Sequence, residues 1–308
     1  MNTQSDALRE SPLESHTAAV ISPGRRILWS VRREFWESRS LYIAPLAVAA
    51  LFIVGYLIST LRLVSKVHAG LVLDPLQQQE ALQRPYTIAP LVIMGTTFIV
   101  SVFYCLEALH GERRDRSILF WKSLPVSDLT TVLSKASIPL VFLPLLTFAI
   151  IVVTQWVTLL LSSVVLLAGG LSVADLWRHL PLFQMSVMLL YHLLAYHSLW
   201  FAPFYAWLLL VSAWARRAPF LWAVLPPLAI GVLEKIAFNT SHFASLLGRR
   251  FSGGGQSAGF EPGHMSMVPL SQLGVGQFLV SSGLWSGLLV AAVFLALAVR
   301  LRRYREPI

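Results

Sequence analysis

The feature that most constrains this chain is an apolar run without a single charge, from Ala136 to Ala174. A bilayer core takes about 20 apolar residues as helix, so this run is too long for one ordinary span. It must either tilt as one helix or fold back as a hairpin. Shorter uncharged runs precede it at Ser40–Leu61 and Tyr86–Leu106, and further candidates follow within Leu180–Ala215, Ala218–Phe238 and Phe278–Val299. Charged residues make up 13% of the chain, against about 25% in soluble proteins. The chain therefore reads as an all-α integral membrane protein. Its formal charge of +9 does not point to nucleic acid, because the basic residues stand in short runs beside the apolar ones.

Charge bias decides how the long run crosses. As one helix it leaves 17 of the 24 Lys and Arg on one side, whereas a hairpin leaves 15. Basic loops stay cytosolic, so the expectation is six spans with both termini in the cytosol, residues 40–308 forming one transmembrane domain. The first apolar run starts near Ser40, too far along for a cleaved signal peptide to be expected. Cys105 is the only cysteine, so no intrachain disulfide forms.

Residues 1–23 are polar and aperiodic, which predicts a disordered cytosolic tail. Residues 24–39 are amphipathic. Ile27, Leu28, Val31 and Phe35 fall on one helical arc, and Arg25, Arg26, Arg32, Arg33 and Arg39 on another. This predicts an interfacial helix with its apolar side at the acyl boundary and its arginines at lipid headgroups; an ordinary basic flank is the plainer alternative. Arg62–Pro85, with Gln77, Gln78, Gln79 and Glu80, suggests a short surface helix. Asn239–Gln277 is the longest external segment, with a flexible Gly253-Gly254-Gly255 core.

Between the second and third apolar runs lies an island, Glu107–Lys135, reading EALHGERRDRSILFWKSLPVSDLTTVLSK. Its short segment carries Phe120, Trp121 and Lys122, then stops at Leu124-Pro125, because proline cannot continue a helix interior and restrains the residue before it. Ser127-Asp128 offers an N-cap for the next helix. Exposed aromatics on a short rigid helix suit a groove on a soluble partner. An interfacial loop with its aromatics at headgroup level fits the spacing equally.

Glu112, Arg113, Ser117, the Ser123-Leu124-Pro125-Val126-Ser127 break and Lys135 together resemble the cytosolic segment of ATP-binding-cassette type-2 (ABC-2) exporter permeases. Where that family carries glycine before the Ser or Thr, Arg116 stands here. The resemblance implies a permease subunit of the bacterial cytoplasmic membrane that pairs with a second copy or a paralogue. It also implies that the island, as a coupling helix, docks two ATPase subunits through Glu112, Arg113, Arg116, Ser117, Phe120, Trp121, Lys122, Leu124 and Pro125. No G-x-x-x-x-G-K-[ST] occurs in this sequence, so ATP and Mg are expected in the partner and no cofactor on this chain. The rival reading is a non-transporting anchor or sensor whose basic island recruits a signalling protein.

Other candidates carry less. His192 and His197 stand five apart, about 140° on an α-helical wheel, which does not aim both at one metal. His242, His264, Met265 and Met267 are soft-ligand types in loose arrangement, and no metal site is expected from them. Glu234 and Lys235 read as a boundary pair, and Glu107, His110 and Arg114 as a local cluster at one-turn spacings. No catalytic set such as H-E-x-x-H or Ser-His-Asp is found, so an enzyme is not expected. Trp200, Phe201, Phe204 and Trp207 suggest a path for an amphipathic or lipid-like cargo.

Overall fold

The computed structural model describes residues 23–68, 75–117, 127–168, 182–251 and 275–304, with residues 173, 174 and 177; among them every regular element is a helix. Residues 1–22 of the predicted tail, the island's Phe120, Trp121, Lys122, Leu124 and Pro125, and His264, Met265 and Met267 lie outside the described residues, while Pro23 begins the first described helix.

The elements run in order as α1 (Pro23–Glu37), α2 (Ser40–His68), α3 (Pro75–Ala108) and α4 (His110–Arg114). Then come α5 (Asp128–Ser137), a π-helical segment (Ile138–Phe142) and α6 (Leu143–Ala168). The fourth span follows as α7 (Leu182–His192), a second π segment (Leu193–Trp200) and α8 (Ala202–Trp214). Last are α9 (Pro219–Phe238), α10 (His242–Phe251), α11 (Val275–Val280) and α12 (Ser282–Tyr304). Five helices among the described residues are long and apolar enough to cross a membrane, and six if the bent fourth pair counts as one span.

The long third run is one helix as far as Ala168. Asp128–Ala168 is continuous over 41 residues, roughly 60 Å at about 1.5 Å per residue, twice a bilayer core of about 30 Å. Ser127 starts it by accepting a hydrogen bond from the Thr130 amide, and Asp128 sits favourably in the first turn. Pro139 lacks the amide proton that an α-helical interior needs, and the π segment falls at that position.

The fourth apolar segment is bent instead. Its two arms meet at 46° around Phe201, whose amide bonds back five residues to Tyr196 O at 3.2 Å. Pro203 in the first turn of α8 removes a donor there. The predicted surface helix over Arg62–Pro85 is absent as a separate element: α2 continues to His68, and Gln77–Glu80 form early turns of α3. Pro85 and Pro90 sit inside α3 without ending it.

Packing is densest between α8 and α12, where Ala202, Ala206 and Ala291 let the two backbones close together. A second core joins Ala49, Ile93, Ile151 and Leu193 from four different spans. The edges are looser, since α9 buries only 6% of its apolar window and α2 only 17%.

Candidate functional site

At the arginine-rich end of the bundle, six charged side chains from four elements converge. Lys135 Nζ donates to Glu34 Oε1 at 2.9 Å and stands 3.2 Å from Glu112 Oε1. Arg302 donates through Nη2 to Glu112 Oε2 at 3.0 Å and through Nη1 to Asp128 Oδ1 at 2.6 Å. Arg33 donates to Glu34 at 2.8 Å and approaches Glu112 at 3.5 Å. Tyr104 adds its hydroxyl to Glu34 Oε2 at 2.9 Å. Three cations thus balance three carboxylates, which is what lets charges sit this deep. Glu34, Glu112, Lys135 and Arg302 are all buried.

Each member is held by local structure. Ser212 of α8 accepts hydrogen bonds from the Leu109 and His110 amides at 3.0 and 2.9 Å, capping the start of α4 across the bundle. In return Arg113 donates to the Ala213 and Ala215 carbonyls, and His110 Nδ1 lies 3.2 Å from Ala215 O. The end of α8 and the start of α4 therefore satisfy each other's orphan backbone groups. That clamp fixes α4 so that Glu112 points into the cluster. Burial alone would raise the Glu34 carboxyl. The Lys135 ammonium, by charge and hydrogen bond, and the Arg33 guanidinium outweigh it, so the pKa falls below the ordinary carboxylate value.

The structure distributes the predicted docking residues unevenly. Glu112 and Arg113 are turned into the bundle, while Arg116 is exposed and Ser117 lies 3.4 Å from the Glu112 carbonyl. Arg116 has φ 56°, the left-handed region that glycine favours. Glu107 pairs with Arg114 at 2.9 Å, whereas His110 faces α8 instead of joining them.

Arg25 and Arg32 of α1 are exposed, as is Arg39 in the turn after it, and Arg33 reaches inward. Nothing is described of the Arg26 side chain. The guanidinium of Arg32 lies over both Trp29 and Trp36, at 5.8 and 5.0 Å from the ring centres. Val31 and Phe35, from the predicted apolar arc, pack on the bundle, Phe35 edge-on to Phe142 at 6.1 Å. Leu28 stays exposed. Glu34 is the residue that sequence reasoning passed over. Its signal was slight, since at about 100° per residue it falls roughly 20° outside the arc bounded by Ile27 and Leu28, on the Ile27 side.

At the opposite end, the four aromatic residues of the suggested cargo path are half-buried and packed. Phe201 and Phe204 stand against Phe98 at 5.6 and 5.8 Å, and Phe251 of α10 closes on both. Trp207 donates to the Ala223 carbonyl and lies against Phe294. Trp200 donates to the Arg250 carbonyl at 2.7 Å, and the Arg250 guanidinium covers its ring at 4.1 Å. Arg250 also donates to the Gly283 carbonyl, and desolvation lowers its pKa. A Cβ on Gly287 would collide with that guanidinium. Glu234 accepts from Thr240 Oγ1 and the His242 and Phe243 amides, capping α10 and setting the corner from α9.

The two histidines need a correction of geometry. The second π segment begins at Leu193, and its wider turn brings residues five apart onto one face. Tyr191 and Tyr196, with the same spacing, have ring centres 6.3 Å apart. His192 stacks on Tyr196, and His197 meets the Phe98 ring edge-on. Among the described residues, no group of three His, Cys, Asp or Glu is arranged to hold a metal ion.

Comparison with protein families, with curated proteins and with solved structures finds no match to this chain.

Proposed function

We propose that this chain is the membrane-spanning subunit of an ATP-driven exporter of the ABC-2 type, in the bacterial cytoplasmic membrane. Separate ATPase subunits hydrolyse the ATP, and a second permease copy or paralogue completes the translocation path. The island serves as coupling helix, with Phe120 and Trp121 as anchors. α1 lies at the cytosolic membrane face, its Trp29–Arg32–Trp36 surface at headgroup level.

The observation that carries this reading is the ionic cluster. Ser117, where the chain leaves for the island's middle, contacts Glu112. Ser127, where it returns, caps the helix that carries Asp128 and Lys135. Both ends of the island are thus joined by buried ion pairs to α1 and α12. A push delivered there reaches α1, α12 and the start of the long third helix through stiff polar contacts, the mechanical requirement of a coupling element.

Co-purification tests it. The chain should retain an ATPase that turns over ATP, and Trp121→Ala should weaken that assembly by roughly 2 kcal/mol or more, a hot-spot magnitude. Retention of a kinase or scaffold in place of an ATPase would favour the recruitment reading and sink this one.

A further inference from the structure

A cavity of about 640 Å³ opens beside the ionic cluster, between the α1–α2 elbow, the end of α3 and the start of α9. Its charge runs against its surroundings. The end of the bundle is rich in arginine, yet among the described residues the lining holds five carboxylates and one cation, Lys135. Lys135 is already committed to Glu34 and Glu112. Of the three exposed rim carboxylates, Glu107 and Asp115 share the guanidinium of Arg114, and among the described residues Glu37 has Arg33 alone, at 3.8 Å. At the back, Glu112 is buried and its Oε1 accepts no hydrogen bond; Lys135 and Arg33 stand near it without donating one. The side wall is apolar, formed by Val100 with the exposed rings of Phe103 and Phe220, where α3 and α9 leave the apolar layer.

We infer that this cavity binds an amphipathic organic cation, its hydrocarbon body along Val100, Phe103 and Phe220 and its positive head among Glu37, Glu107 and Asp115. A hydrophobic body reaches such a wall from the bilayer, because Phe103 and Phe220 lie on candidate spanning helices beside the rim carboxylates. The surplus carboxylates then select the sign of the head, repelling anionic amphiphiles that the neighbouring arginines would attract. As a port of entry for cargo, the site rests on the exporter reading; as a binding site it does not.

The test uses the full chain in phosphatidylcholine nanodiscs, without any ATPase. Two fluorescent probes with one diphenylhexatriene body are compared, one bearing a trimethylammonium head and the other a carboxylate. The cationic probe should show saturable binding above empty discs, and the anionic probe none. The combined variant Glu37→Gln, Glu107→Gln, Asp115→Asn, all at exposed positions, should weaken cation binding by about tenfold, and raised salt should weaken it in the unaltered protein. Phe103→Ala should weaken it with the charges intact. Equal binding of both probes, or cation binding unchanged in the triple variant, overturns the inference. Because no ATPase is present, such a result leaves the exporter reading standing, and loss of ATPase co-purification leaves the cation site standing.

Discussion

Lys135 Nζ donates a 2.9 Å hydrogen bond to Glu34 Oε1 across 101 positions of sequence, and both side chains are at most 3% exposed. The pair locks the first helix of the chain to the root of the long third span. Lys135 also faces Glu112, so its loss would leave two buried carboxylates short of a cation.

Lys135→Met should therefore destabilise the protein by about 3–5 kcal/mol, the cost of a buried charge left without its partner. Adding Glu34→Gln to it should recover a large part of that loss. Thermal unfolding in detergent of the two single variants and the double decides the matter; strictly additive losses would mean the contact carries no coupling.

Acid should loosen the same joint. The Glu34 carboxyl lies below its ordinary value of 4.5, so the stability it contributes is complete above that pH and disappears as pH falls through the depressed folded value. The stability gap between the unaltered protein and Glu34→Gln should shrink on acidification below about 4.5. A gap that stays constant into acid would show that ionised Glu34 gains nothing from the cluster.

Arg116→Gly is expected to raise stability, by up to about 1 kcal/mol, because a non-glycine residue is disfavoured in the left-handed region. The φ of 56° at this exposed position is the reason. Unfolding midpoints of the variant and of Asp115→Gly, a neighbour outside that region, provide the comparison. Stabilisation of neither would remove strain at Arg116 as a factor.

At the opposite end, Gly287→Ala should cost about 1–3 kcal/mol by overpacking against the Arg250 guanidinium. In an Arg250→Ala background the same change should cost less than about 0.5 kcal/mol, since the collision is gone. A cost that is independent of residue 250 would place the sensitivity in the packing of α12 alone.

The spans were legible where the physics is local. Runs of apolar residues mark five long helices and a bent pair, and the arginine bias favoured one helix over a hairpin for the third run, which is continuous from Asp128 to Ala168. The bend at Phe201 was not legible, because a wide turn leaves no hydrophobic period to read and Pro203 alone does not distinguish a kink from a helix start. The ionic cluster was legible only in fragments. Arg302 reads from sequence as one more basic residue beside a span, and only folding brings it within 3.0 Å of Glu112, 190 positions away. Arg33 reads as a headgroup arginine for the same reason. Glu34 carried a weak local sign, an acid bordering the apolar arc beside Ile27, but not the identity of its partner.

The order of synthesis gives the cluster another meaning. Arg302 is its last member to leave the ribosome, long after Glu34, Glu112 and Asp128 have reached the membrane with only Arg33 and Lys135 to answer them. Until then the nascent assembly holds one unanswered negative charge at the root of its third span. A chain halted before α12 therefore lacks the cation that pairs with both Glu112 and Asp128, and the cluster closes only when α12 is in place.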